Sequence, residues 1–128
     1  MERVTGIGGV FFRAKDPEGL QQWYAEHLGL EPEADGCVVF RWSERATQTN
    51  ASTVWAPFKE DTDYFGARSQ QSMVNYRVRD LDAMLAQLRA AGATVDDKIE
   101  DSEYGKFGWA TDPEGNRMEL WQPPVNEA

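Results

Sequence analysis

The sequence predicts an α+β domain built from two copies of one β-α-β-β-β unit. Three observations predict it: an internal repeat, a matched pair of helix caps, and strand alternation. Val10-Phe11-Phe12-Arg13-Ala14-Lys15-Asp16 and Val74-Asn75-Tyr76-Arg77-Val78-Arg79-Asp80 both read as a strand running into a helix cap. The two aspartates stand 64 residues apart in a chain of 128, the offset expected of a duplicated supersecondary unit. Residues 1–128 are read as a single domain, with module one at about 4–60 and module two at about 72–122.

The helices follow from their ends. Asp16 can accept from the free amides of a first turn, Pro17 presets the first helical φ, and Glu18 suits the positive end of the dipole. Leu20, Trp23, Tyr24 and Leu28 then form one apolar stripe, and Gly29 stops the helix. In the second unit Asp80 caps, Leu81, Met84, Leu85 and Leu88 make the stripe, and Gly92 stops it. Each helix is expected to bury one face.

Shorter strands are expected after each helix. In unit one they fall near Cys37 to Trp42 and Ser52 to Phe58. In unit two they fall near Thr94 to Val95, Phe107 to Thr111 and Arg117 to Trp121. Asp112-Pro113-Glu114-Gly115-Asn116 is a strong turn between the last two. The acidic run from Asp96 to Gly105 reads as a solvated loop, with Tyr104 as a contact at a cavity mouth. Asp61-Thr62-Asp63-Tyr64-Phe65-Gly66 joins the modules as a loop and a second rim.

Charge bounds the partners. With 22 acidic and 13 basic residues the chain carries −9, which argues against nucleic acid and an anionic membrane surface. A lone Cys37 gives no intramolecular disulfide, and no apolar run is long enough to span a bilayer. A cytoplasmic protein is expected, with Cys37 a strand residue rather than a nucleophile.

Alternation sorts the strand residues by face. Val10, Phe12, Ala14, Val74, Tyr76, Val78, Met118 and Leu120 are assigned to the helix side. Gly9, Phe11, Arg13, Met73, Asn75, Arg77, Arg117, Glu119 and Trp121 are left on the other. Aromatics mixed with a few polar groups on one face suit a small-molecule pocket; a dimer interface or a solvated face is the alternative.

Three segments carry a family resemblance: Gly8 to Pro17 with Trp23-Tyr24-Ala25-Glu26-His27-Leu28-Gly29-Leu30; Asn75 to Asp82; and Phe107 to Pro123. In order and spacing they resemble the glyoxalase/bleomycin-resistance/dioxygenase (vicinal oxygen chelate) superfamily. The resemblance implies a cupped, mostly antiparallel sheet of paired βαβββ modules, with two helices outside and a cavity inside. It also implies four metal-ligand positions, which fall on Gly9, Met73, Glu119 and a residue near Trp55. Glycine offers no donor atom, an indole cannot coordinate, and a thioether suits hard cations poorly. No metal and no cofactor is therefore expected.

His27, late on the first helix, reads as structural. Glu119 has two readings that the sequence leaves open: a general base or ligand anchor in an aromatic cavity, or an ion-pair partner of Arg117, Arg77 or Arg13. The expected ligand contacts are Phe11, Trp42, Trp55, Met73, Asn75, Tyr104, Trp109, Glu119 and Trp121. A metal-independent small-molecule binding protein is expected, as a homodimer. The alternative is a lyase- or isomerase-type enzyme using Glu119 on a small carbonyl metabolite, with or without a divalent metal.

Overall fold

The computed structural model of the chain describes residues 1–42 and 51–125. Strand β1 (Val4–Ala14) leads into helix α1 (Pro17–Leu28), then β2 (Val38–Arg41) and β3 (Ser52–Lys59). The second half runs β4 (Ser72–Val78), α2 (Leu81–Ala90), β5 (Thr94–Val95), β6 (Glu100–Ser102), β7 (Gly105–Thr111) and β8 (Arg117–Gln122). Both helix starts form as their sequences dictate. Asp16 accepts from the Gly19 amide and Asp80 from the Ala83 amide, each at 3.0 Å. Gly29 closes α1 in the left-handed region at φ 70°, where a Cβ would be strained.

The described strands form one mixed α+β sheet in the order β2-β3-β1-β4-β8-β7-β5, with β6 also on β7. Two pairings are parallel, β1 with β3 and β4 with β8. They flank a central antiparallel seam between β1 and β4. Each module thus lays its closing strand beside its opening strand, and the seam relates the two halves.

The modules are less alike than the repeat predicts. Two strands follow α1 and four follow α2 among the described residues. β5 and β6 lie along the same edge of β7, one strand interrupted. The acidic run expected to be a solvated loop therefore contributes β6, which forms a hairpin with β7.

Two clusters make the core. On the helix side Val78, Leu81, Met84, Leu85, Ala110 and Leu120 pack together beneath α2. Helix α1 departs from expectation: none of its residues is buried, and Trp23 and Leu28 are exposed. The helix meets the sheet through Trp55, whose indole lies 5.2 Å from the Phe12 ring and 4.8 Å from that of Tyr24. On the opposite face Phe11, Ala56, Phe65, Met73 and Trp109 form the second cluster. Phe58 on β3 stacks on Tyr64 at 5.6 Å, and Tyr64 meets Trp109 on β7 edge-on at 6.0 Å. Strands from the two flanks of the sheet thus share one cluster, so the sheet is cupped.

Candidate functional site

The cup is organised by one row of the sheet. Gly9 pairs with Asn75, Asn75 with Glu119, and Glu119 with Trp109. Paired residues project to the same face, so this row aims at the concave side. Glu119, 1% exposed, is its chemical centre. Its carboxylate accepts from the Tyr64 hydroxyl, from Asn75 Nδ2 at 2.5 Å and from Trp109 Nε1 at 3.1 Å. Burial pushes the carboxyl above its ordinary value, opposed by these hydrogen bonds. Burial and the adjacent carboxylate hold the Tyr64 phenol in its protonated, donating form. Asn75 Oδ1 is buried with no hydrogen-bond partner.

Tyr64 and Phe65 come from the inter-module segment expected to be a rim. They turn inward instead, and Phe65 is completely buried. Arg13 clasps the segment: Nε donates to the Gln70 carbonyl, Nη1 to those of Glu60 and Thr62, and Nη2 to that of Ala67, at 2.6–3.3 Å. Gln70 ties it to β8 through the Arg117 carbonyl and amide, at 2.8 and 2.9 Å. Neither Tyr64 nor Phe65 was legible as a site residue, because a segment without strand or helix period says nothing about facing.

Register fixes the fourth metal-ligand position that sequence spacing left near Trp55. Asn75 is the repeat partner of Phe11. Since Asn75 pairs with Glu119 and Phe11 with Ala56, Ala56 is the counterpart of Glu119. The four positions are therefore Gly9, Ala56, Met73 and Glu119. Two lack any donor, the third is a thioether, and the carboxylate of the fourth already has three donors. No group of three or more His, Cys, Asp or Glu among the described residues could hold a metal. This donor set does not fit a divalent ion of the kind the superfamily uses.

At one end of the cup a second aromatic group surrounds Arg77. Its guanidinium lies 5.2 Å from the Trp42 ring and 4.9 Å from that of Trp121, within cation–π reach of both. Trp121 in turn stacks on Phe107 at 6.0 Å, and its Nε1 donates to the Tyr104 carbonyl at 2.7 Å. Trp42 lies over Gly6 and donates to Thr53 Oγ1 at 2.8 Å. A groove of about 410 Å³ opens beside this group, lined by Thr5, Trp42, Arg77, Arg79 and Gln122 among others.

The structure brings Phe11, Met73, Asn75, Trp109 and Glu119 into the cup, with Trp121 and Trp42 at its end. It does not bring Trp55 there. Trp55 pairs with Val10 and faces α1, so its assignment to the cavity is corrected to the helix side. Tyr104 reaches the site only through its backbone carbonyl; its ring is exposed on the β6–β7 turn. His27 stays outside, its ring 4.9 Å from that of Trp23. The hydrogen-bond donors on Glu119 are three neutral groups rather than an arginine.

Fold and site define a paired-module α+β protein whose cup retains one carboxylate of a four-position ligand set. The chain belongs to the glyoxalase-like domain family, whose pattern it matches over residues 9–121. A variant of Streptomyces coelicolor methylmalonyl-CoA epimerase, in complex with 2-nitronate-propionyl-CoA, is similar in structure at TM-score 0.73 and 16% identity, covering 98% of this chain and 99% of that one. The Mycobacterium tuberculosis methylmalonyl-CoA epimerase is similar at TM-score 0.60 and 21% identity, covering 94% and 89%. A glyoxalase/bleomycin resistance protein/dioxygenase superfamily member from Vibrio splendidus 12B01 gives TM-score 0.57 at 14% identity, covering 95% and 99%. At such identities the likeness establishes the fold. No curated protein sequence matches the chain. No helix among the described residues is long and apolar enough to cross a membrane.

Proposed function

We propose that this chain is a metal-independent small-molecule binding protein of the superfamily, with its ligand seated in the groove at the Trp42 end of the cup. The observation that carries this reading is the guanidinium of Arg77 flanked by two indoles beside a groove of about 410 Å³. Ligand pockets combine such apolar walls with a few placed polar groups. The donor set of the cup supports the metal-independent part.

The test combines metal analysis of protein purified without a histidine tag with a ligand screen by thermal shift. Compounds that raise the melting temperature of the wild type and not of Trp42→Ala are expected, at less than stoichiometric metal. Stoichiometric metal that disappears in Glu119→Ala, or hits indifferent to Trp42, would overturn the reading. A homodimer accompanies it, tested by light scattering; a monomeric mass at micromolar concentration contradicts that part.

One observation favours an enzymatic reading: burial raises the Glu119 carboxyl above its ordinary value, which makes it a stronger base. It requires Tyr64 to leave the carboxylate and a carbonyl metabolite to take its place. Conversion of a bound compound, lost in Glu119→Gln, would replace sequestration by catalysis.

A further inference from the structure

We propose that the cup around Glu119 is a recognition site for a neutral monocyclic phenol, filled in the present state by the chain's own Tyr64. Three observations converge. The Tyr64 ring is held as a ligand would be, parallel to Phe58 at 5.6 Å and edge-on to Trp109 at 6.0 Å. Its hydroxyl donates to a carboxylate that is itself 1% exposed and positioned by Asn75 and Trp109. The ring also reaches the site from a segment with no strand or helix, so its departure breaks no sheet pairing.

The attachment of that segment shows how Tyr64 can leave. Arg13 pins its two feet through the carbonyls of Glu60 and Thr62 on one side and of Ala67 and Gln70 on the other. The crown between them, Asp63 to Gly66, is closed by the Gly66 amide on the Asp63 carbonyl at 3.1 Å. Arg117 Nε adds a longer hydrogen bond to the Tyr64 carbonyl at 3.3 Å. Tyr64 is half-buried, unlike its completely buried neighbour Phe65 in the same crown. The Tyr64 amide donates to Thr62 Oγ1 at 3.2 Å, so the movement required is that the Tyr64 side chain alone turns outward while Phe65 and the feet stay in place. A phenol entering behind it would restore both ring contacts and the hydrogen bond. A carboxylate ligand would meet Glu119 in a dry environment and be repelled, and an apolar ring would leave a buried acceptor without its donor.

The phenol site is separate from the groove at Trp42, and the experiment distinguishes the two. Tyr64→Ala removes the built-in occupant, leaving a ring-sized space of the kind that binds small aromatics. By calorimetry it is expected to bind p-cresol at least about tenfold tighter than the wild type, which must first release Tyr64. In Tyr64→Ala the expected order is p-cresol above toluene, with no binding of p-toluate. Adding Trp42→Ala should leave p-cresol affinity unchanged; a loss there would place the phenol in the groove and overturn the assignment. Equal affinity of wild type and Tyr64→Ala, or toluene bound as well as p-cresol, would also overturn it. If Tyr64→Ala does not fold, the side-chain signals of the wild type decide. In NMR spectra of the wild type, p-cresol at millimolar concentration, and not toluene, should shift the Tyr64 ring signals while those of Phe65 stay in place; no shift sinks the proposal.

Discussion

Asn75 donates its side-chain amide to Glu119 at 2.5 Å across the parallel β4–β8 pairing, while its own carbonyl oxygen stays buried and without a partner. The bond joins the strand at the inter-module seam to the closing strand of the second module. It fixes Glu119 from the side opposite Trp109.

Truncating that donor leaves the carboxylate short of one of its three hydrogen bonds. Asn75→Ala is expected to lose about 1–3 kcal/mol, the cost of a buried acceptor deprived of a partner, less whatever is recovered by removing the orphaned oxygen. Urea unfolding measures it. Asn75→Asp should lose more at neutral pH and recover on acidification, because it sets a second carboxylate beside Glu119. A wild-type midpoint in both variants would show that the bond contributes nothing.

Glu119 also gives stability a pH dependence of unusual sign for a carboxylate. Burial raises its folded-state value above the ordinary 4.5. The folded state then holds a proton that the unfolded chain has released, so this contribution is complete below about pH 4.5 and is lost as pH rises through the folded value. Glu119→Gln cannot titrate. The wild type is therefore expected to lose stability relative to Glu119→Gln as pH climbs from 4.5, measured by denaturant melts at several pH values. A difference that grows the other way would mean that the three donors outweigh desolvation.

Gly6 sets the position of Trp42. A Cβ built there comes within 2.2 Å of the edge of the indole ring, so Gly6→Ala must displace Trp42. The expected cost is about 1–3 kcal/mol for overpacking, with greater acrylamide quenching of tryptophan emission. Unchanged quenching and stability would show that the indole has another place to rest.

Gly105 opens β7 at φ 110°, where its Cα also faces the Gln122 carbonyl and the Trp121 indole. Gly105→Ala combines a disfavoured backbone region with a collision against main chain, and about 2–3 kcal/mol of destabilisation is expected. A melting temperature indistinguishable from wild type would contradict the turn geometry.

Much of this was legible in the sequence because two local rules carry far. The caps at Asp16 and Asp80 announced both helices, and period-2 alternation placed Met73, Asn75, Arg77, Glu119 and Trp121 on the concave face. For β3 the sequence supplied no register: spacing placed the fourth ligand position only near Trp55, and neighbouring residues face opposite sides. The stripe of α1 was expected to be buried and is not, because periodicity tells which residues share a face but not how far that face is covered. Tyr64 and Phe65 had no signal, since their facing is imposed from a distance by Arg13, 47–57 residues away from the carbonyls it holds.

The three donors on Glu119 have a consequence for reading related sequences. Tyr64, Asn75 and Trp109 each present a hydrogen that needs an acceptor in a dry interior, so they give a glutamate at this position a reason to persist after every metal-binding companion has gone. A lone closing-strand carboxylate is then ambiguous as a diagnostic mark. In this chain it is accounted for by the three hydrogens it accepts, without any metal.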